Sequence, residues 1–546
     1  MQRTLFRFLL ALAACFRAVA AAQTYDLLVY GGTPAGVMAA VAAKKEGLNV
    51  ALVEPTRHIG GMMASGLGGT DKCIKEVIGG MSKDFFVRNG ARYGKRVEWR
   101  VEPHIAEELF NQYLREAGVT AFLGVALNTV SKAGKRIAAV QLGQSTQLSA
   151  HYFIDASYEG DLMAKAGISY ALGRESSSEY GETLAGVAPF AERDQFPPRM
   201  SGLGADGALL PYVNAGDPAA LGSADYKLPS YNYRVCLSCE AGNFREIEPP
   251  ASYQREDYLL LAQYLHTKHN LKLSELLRFL KIPSNKFDIN NRGPFSTNMI
   301  GASWEYPEAA PAQREEIRRR HRDYTQGLLY FLAHDRAVPG HAREVLAKCG
   351  LCADEFKDNA NWPYQLYVRE ARRLVGAFVL RQQDLSHTVI QPDPIGVGSC
   401  PIEAHHVQRL KLSDHSLRHE GWVWQRVTPY QIPYRAILPK ADQAENLLVP
   451  VALSSSHIAF SSVRMEPTFM VLGQSAGVAV ALAKKQNLSV QRVDASKLVS
   501  KLKNLTQIVA VPERALRRAL DTISKAAPSR TAEKSAADLA ASDNTR

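Results

Sequence analysis

The chain has 546 residues, 46% of them hydrophobic, 8% aromatic and 22% charged. That is enough apolar material for two or three domains with cores of their own, which excludes a disordered or fibrous chain. The formal charge of +11 is dispersed along the sequence. It contains no run of Lys and Arg interleaved with aromatics, so the balance reads as an ordinary basic surface rather than a nucleic-acid track.

The N-terminus reads as an export signal. Arg3 and Arg7 make a basic start, Phe8 to Phe16 an apolar core, and residues 18–22 a small-residue cleavage region. The expected leader is 1–22, and the mature protein is expected to be secreted or periplasmic. Leu12-Ala13-Ala14-Cys15 also fits a lipoprotein signal, which would tether the protein through a lipid on Cys15. No later segment reaches the roughly 18 to 20 apolar residues needed to span a bilayer.

Tyr25 to Tyr30 is a short β-forming run, and Pro34 to Glu46 is Ala-rich without an internal breaker. Gly47 stops that helix, and Asn49 to Val53 is a second buried strand. The pattern predicts a βαβ unit with its turn at Gly31 to Gly36. From Val119 to Asp155 the alternation predicts a small β-meander feeding a last strand, Tyr152 to Asp155. Residues 23–175 are therefore expected to be the first part of a cofactor domain. Residues 176–424 read as an inserted, helix-rich α+β domain, with helices at Arg255 to Lys281, Pro311 to His334 and Asn361 to Asp384. Residues 425–512 return to the first domain through a strand at Asn446 to Val451 and a helix at Thr468 to Lys485. Residues 513–546 are rich in Ala, Ser, Lys and Glu and are expected to be a disordered tail.

The turn Gly31-Gly32-Thr33-Pro34-Ala35-Gly36 stands where a dinucleotide's pyrophosphate needs close backbone approach and the positive end of a helix. Thr33 occupies the middle glycine of G-x-G-x-x-G, so its side chain must either turn away or bond a phosphate oxygen. Glu54 ends the second strand, about 20 positions on, where a carboxylate can accept both hydroxyls of the adenosine ribose. Gly60, Gly61 and Met62 offer a second backbone approach, which FAD needs and NAD does not. Asp155 and Asp161 flank small residues at the end of the last meander strand, and Ala126 is a further candidate contact. Gln474, Ser475 and Gly477 read as a helix start whose free amides approach the flavin, or as tight packing of small residues. The cofactor expected is FAD.

Gly31 to Gly36 as G-G-T-P-A-G, Ile154 to Leu162 as I-D-A-S-Y-E-G-D-L, and Ser461 to Pro467 followed by Leu472 to Ala476 resemble the bacterial FAD-dependent oxidoreductases, whose members are often labelled xanthan lyases. Asn290 to Thr297, Gln365 to Arg373 and Ser399 to Arg409 extend the likeness, with His406 standing where the family's string has Asn. The resemblance covers Tyr25 to Val511. It implies a discontinuous Rossmann-like FAD domain of glutathione-reductase type with an inserted substrate domain, and it implies no particular substrate. The partners expected are a small-molecule substrate and an unidentified electron acceptor. A noncatalytic flavin or glycan binder is the rival reading. A polysaccharide lyase has no use for a dinucleotide turn.

A flavin performs the hydride chemistry, so the protein must orient a substrate and move one proton. Arg464 is the expected substrate residue, by clamping a carboxylate or stabilising charge at the flavin, unless it pairs structurally with Glu466. His457 is the expected proton carrier, and His405, beside His406, faces the same cavity in this reading. Cys236-x-x-Cys239 and Cys349-x-x-Cys352 can make disulfides within or across the pairs, bind zinc, or relay electrons as dithiols. Export favours disulfides, so no metal is expected, and Cys73 and Cys400 are left as single buried thiols.

Overall fold

The computed structural model describes residues 24–525 apart from 72, 199 and 269. The expected leader, Cys15 and the end of the tail lie outside them. Strand β1 (Thr24–Tyr30), helix α1 (Pro34–Lys45) and strand β2 (Val50–Glu54) form the expected βαβ unit, with β1 and β2 parallel. After α2 (Gly80–Ala91) and α3 (Pro103–Ala117), β3 (Thr120–Leu123) joins β2 in parallel. The meander follows as β4 (Leu127–Ala133), β5 (Arg136–Leu142) and β6 (Thr146–Asp155). Strand β6 serves two partners: its start is antiparallel to β5, and its end runs parallel to β1.

Alternation along β1 decides which face each side chain serves. Leu27 and Val29 enter the core under α1, whereas Leu28 and Tyr30 enter the core under the meander. Both faces of the sheet are thus covered, as a buried parallel sheet requires.

The middle of the chain holds a second, antiparallel sheet. Its strands are β7 (Val235–Ser238), β8 (Phe244–Arg245), β9 (Leu277–Lys281), β10 (Lys286–Asn291) and β11 (Gly350–Cys352), in the order β8-β11-β7-β10-β9. Helix α4 (Leu259–His266) is short, and α5 (Pro311–His334) matches the expected span. The other two expected helices are corrected. Arg255 to Lys281 splits into α4 and β9, because the alternating Leu277 and Phe279 pair with β10 in a hairpin. Asn361 to Asp384 is extended apart from a single turn at its end. Arg369, Arg372 and Arg373 reach instead to separate segments of the chain.

The chain returns to the first sheet at β12 (Leu447–Leu448), which lies parallel to β6. Helices α6 (His457–Val463) and α7 (Glu466–Gln486) follow. The tail begins with a helix rather than disorder: α8 (Glu513–Ser524) buries Ala515 and Ala519. Its amphipathic spacing finds a surface to cover.

The cysteines pair partly as expected. Cys239 and Cys349 form a disulfide across the two motifs, while Cys236 and Cys352 are free thiols with sulfurs 2.9 Å apart. Cys73 and Cys400, expected to be single thiols, form a disulfide. Their sequence separation of 327 leaves no local signal for it.

Candidate active site

The cofactor turn is made by contacts that only glycine permits. Gly31 has φ +98°, and a Cβ there would lie 2.7 Å from the Ser157 amide nitrogen. At Gly36 a Cβ would lie 1.9 Å from the Gly31 carbonyl oxygen. Thr33 resolves its two alternatives by turning inward. Its hydroxyl caps α1 by accepting from the Gly36 amide at 3.1 Å and donates to the Ala156 carbonyl at 2.8 Å. Proline follows as the first helical residue, where its missing N–H is no loss. The first turn of α1 therefore presents its positive end beside β1, which is the arrangement an anionic pyrophosphate fits.

Glu54 sits at the edge of that turn. Its carboxylate accepts the Gly32 amide at 2.7 Å and the Thr56 amide at 2.8 Å. Ala126 lies just past β3, beside the end of β2, and its carbonyl accepts from Gly143. Gly60 and Gly61 both have positive φ, and a Cβ on Gly61 would lie 2.5 Å from the Tyr158 hydroxyl. Met62 donates its amide to that same hydroxyl at 3.1 Å.

Other expected cofactor contacts are engaged within the protein. Asp155 is fully buried and accepts from Ser157 and from the Met163 amide, which holds the chain as it leaves β6. Burial pushes its carboxyl up to about 6. Asp161 is ion-paired to Arg314 and Arg372, bridging the first sheet to the middle of the chain. Residues 472–479 are corrected from a helix start to a helix interior, because α7 begins at Glu466. A Cβ on Gly473 or Gly477 would lie 2.1 or 2.2 Å from the carbonyls of Ala35 or Ala39, so these glycines let α7 pack on α1. Gln474 accepts the Met81 amide, and the Ser475 hydroxyl bonds the Ile395 carbonyl.

A cavity opens where the Gly60–Met62 segment ends, lined by Met62, Tyr158, Tyr367, Arg369, Arg464 and Glu466 among others. Arg464 caps the end of α6 and donates to the Glu403 carbonyl at 2.9 Å. It does not pair with Glu466. That carboxyl instead accepts from the Tyr158 hydroxyl at 2.5 Å, and its second oxygen is buried without a partner. Burial pushes Glu466 up to about 8, so it holds its proton at neutral pH.

The two histidines lie off this cavity. His457 opens α6 and is 2% exposed, with Nδ1 2.8 Å from a Glu370 carboxylate oxygen. Glu370 is also bound by Arg373. His405 is buried against Trp422, its Nδ1 has no partner, and burial together with Arg369 and Arg464 pushes its pKa well down. Sequence reading missed Arg369 and Tyr158 as cavity residues. Their only signal was membership of the strings 365–373 and 154–162.

One group among the described residues has metal-ligand spacing, Glu102, His104 and Glu355. The Lys286 ammonium lies 2.6 Å from both glutamates and fills that position as a cation.

A parallel sheet, a glycine turn at a capped helix and a carboxylate closing the next strand define a dinucleotide-binding flavoprotein. The chain belongs to the FAD-dependent oxidoreductase family, whose model matches residues 26–502, and its cofactor is FAD. It is 24% identical over 201 residues to the 1H-pyrrole-2-carbonyl peptidyl-carrier-protein brominase of Pseudoalteromonas luteoviolacea, covering 32% of this chain and 47% of the relative. It is 30% identical over 123 residues to the flavin-dependent halogenase rdc2 of Metacordyceps chlamydosporia, covering 20% and 24%. The chain thus spans less than half the length of these curated relatives. Among solved structures, a triple mutant of the flavin-dependent brominase Bmp2 aligns over 88% of this chain and 84% of its own, with 11% identity and a TM-score of 0.35.

Proposed function

We propose that the protein is an exported oxidoreductase that transfers a hydride between a small organic substrate and FAD, with the substrate held in the cavity of Arg464. The observation that carries this reading is the shared segment: Met62 ends the second glycine approach and also lines the cavity. Tyr158 ties the two together through its hydroxyl. Residues 23–175 and 425–512 would form a discontinuous FAD domain of glutathione-reductase type, and 176–424 would supply the cap over it.

Gly31 to Gly36 and the first turn of α1 would hold the pyrophosphate, Glu54 the ribose, and Gly60 to Met62 the approach from the other side. Bound FAD supplies a two-electron acceptor for hydride. Arg464 orients an anionic or polar group of the substrate. Glu466 and Tyr158 move the proton in this reading, because both line the cavity and His457 does not, its ring lying behind Glu370. A buried carboxyl near its pKa at working pH suits that task.

The test is the visible spectrum of purified protein, followed by anaerobic mixing with small carboxylic acids, amines and sugars. The reading expects a yellow protein whose absorbance bleaches with at least one compound. A flavin that stays oxidised with every class would favour the noncatalytic binder.

A further inference from the structure

Two guanidinium groups line the cavity, and among the described residues neither has a carboxylate within ion-pairing distance. Arg369 is 4% exposed, yet it donates only to neutral oxygens: the Ser230 carbonyl, Asn298 Oδ1 at 2.9 Å and Asn291 Oδ1 at 3.3 Å. Arg464 donates to the Glu403 carbonyl. Among the described residues neither is ion-paired. Other buried arginines differ: Arg174 pairs with Asp225 and Glu420, Arg234 with Asp288, and Arg373 with Glu175 and Glu370. Arg409 is also unpaired, but it lies between the Phe196 and Phe295 rings and not on the cavity.

Nearby acidic groups offset that charge only in part: the Glu403 carboxyl acts on both arginines from beyond ion-pairing distance, while Arg464 bonds only its backbone carbonyl. Glu370 is taken by Arg373 and His457, Glu466 holds its proton, and Asp71 is exposed. Burial and the nearby Arg464 and Arg234 push Arg369 down to about 9, an unusual value for a guanidinium. The Tyr367 ring lies 5.1 Å from the Arg369 guanidinium carbon and gives it a flat wall on the cavity side. A buried cation without a close counter-ion is destabilising. Buried Arg369 and half-buried Arg464 around one cavity are accounted for if the anion arrives with the ligand.

We propose that Arg369 and Arg464 form a clamp for the carboxylate of a small anionic substrate in the cavity lined by Met62, Tyr158 and Tyr367. This rests on the reading that the cavity is the substrate site. Guanidinium groups suit the task because they offer paired donors matched to a carboxylate. The competing anion is the negatively charged reduced flavin, which would leave the substrate class open.

The test titrates FAD-loaded protein with acetate, benzoate and succinate, each against its neutral amide at constant ionic strength. The visible flavin spectrum and the melting temperature are read together. At least one carboxylate should perturb the spectrum saturably and raise the melting temperature, with no response to its amide. Arg464→Gln and Arg369→Gln should weaken that binding tenfold or more at unchanged flavin content, and Arg464→Lys should recover part of it. If Arg369→Gln does not fold, Arg464→Gln decides. The proposal is overturned if no carboxylate exceeds its amide, or if Arg464→Gln binds as tightly as wild type. It is equally overturned if the variants leave carboxylate binding alone and shift only the flavin midpoint potential, the outcome expected of a clamp on reduced flavin. Failure of the underlying reading looks different: carboxylates bind through both arginines, yet no compound bleaches the flavin.

Discussion

The glycine turn and the Arg464 cavity adjoin each other but are built in opposite ways. The turn is made of backbone: Gly31, Gly32 and Gly36 bring peptide groups together, and Thr33 closes the cap, all within six consecutive positions. The cavity is made of side chains from five separate stretches, at Met62 to Asp71, Tyr158, Tyr367 to Glu370, Val451 and Phe460 to Phe469. A backbone requirement is written locally, because only certain residues can occupy each dihedral and each close approach. A side-chain constellation is written only in the topology that assembles it.

If that contrast is right, the turn should fail all at once and the cavity by degrees. The largest effect is expected from Gly36→Ala. Its Cβ would sit 1.9 Å from the Gly31 carbonyl oxygen, with no flexible side chain to yield, so flavin should be lost and stability should fall by about 3 kcal/mol or more. Flavin content and thermal melting check this, and a yellow variant with wild-type melting would break the comparison.

The next expected effect is in the cavity and depends on pH. Burial raises Glu466 from 4.5 to about 8, so the folded chain keeps a proton that the unfolded chain releases. Its contribution to stability is fully present below about pH 4.5 and is lost as pH rises through about 8. Glu466→Gln should therefore flatten the decline in stability across that window, as read by denaturant unfolding at a series of pH values. An identical decline in the variant would mean that the carboxyl is not held protonated.

Smaller effects sharpen the turn itself. Glu54→Gln removes the charge from two hydrogen bonds and from the proposed ribose contact, and FAD affinity should weaken by about 1.5 to 3 kcal/mol, measured by flavin release and rebinding. Thr33→Ala should lower stability by about 1 kcal/mol, the usual worth of an N-cap, while FAD affinity stays near wild type because the hydroxyl faces inward. A large drop in affinity would place that hydroxyl on the cofactor instead.

The same contrast explains what the sequence made legible. β1, α1 and β2 follow from alternation, an Ala-rich helix and its stop, and they stand within a residue or two of where they were expected, whereas the last meander strand begins at Thr146, six residues before the expected Tyr152. Pro311 to His334 was readable because Pro and a long uninterrupted pattern fix both ends. Asn361 to Asp384 was not, since its arginines are anchored across the fold by contacts that only the tertiary structure creates. Residues 472–479 misled for a related reason: glycine serves equally at a free helix end and between two packed helices, and only tertiary contact with Ala35 and Ala39 distinguishes them. Arg464 stood out by its place before a helix. Arg369 did not, because its lack of a counter-ion is a property of the folded interior.

The central claim is that the Arg464 cavity is where substrate meets the flavin. Its most direct test is the anaerobic rate of flavin reduction in wild type and Arg464→Ala, using a compound that bleaches the wild-type protein. The variant should keep its flavin content and melting temperature and reduce its flavin at least tenfold more slowly, about 1.4 kcal/mol or more in the barrier. A variant that is folded, flavin-loaded and reduced at the wild-type rate would contradict the account.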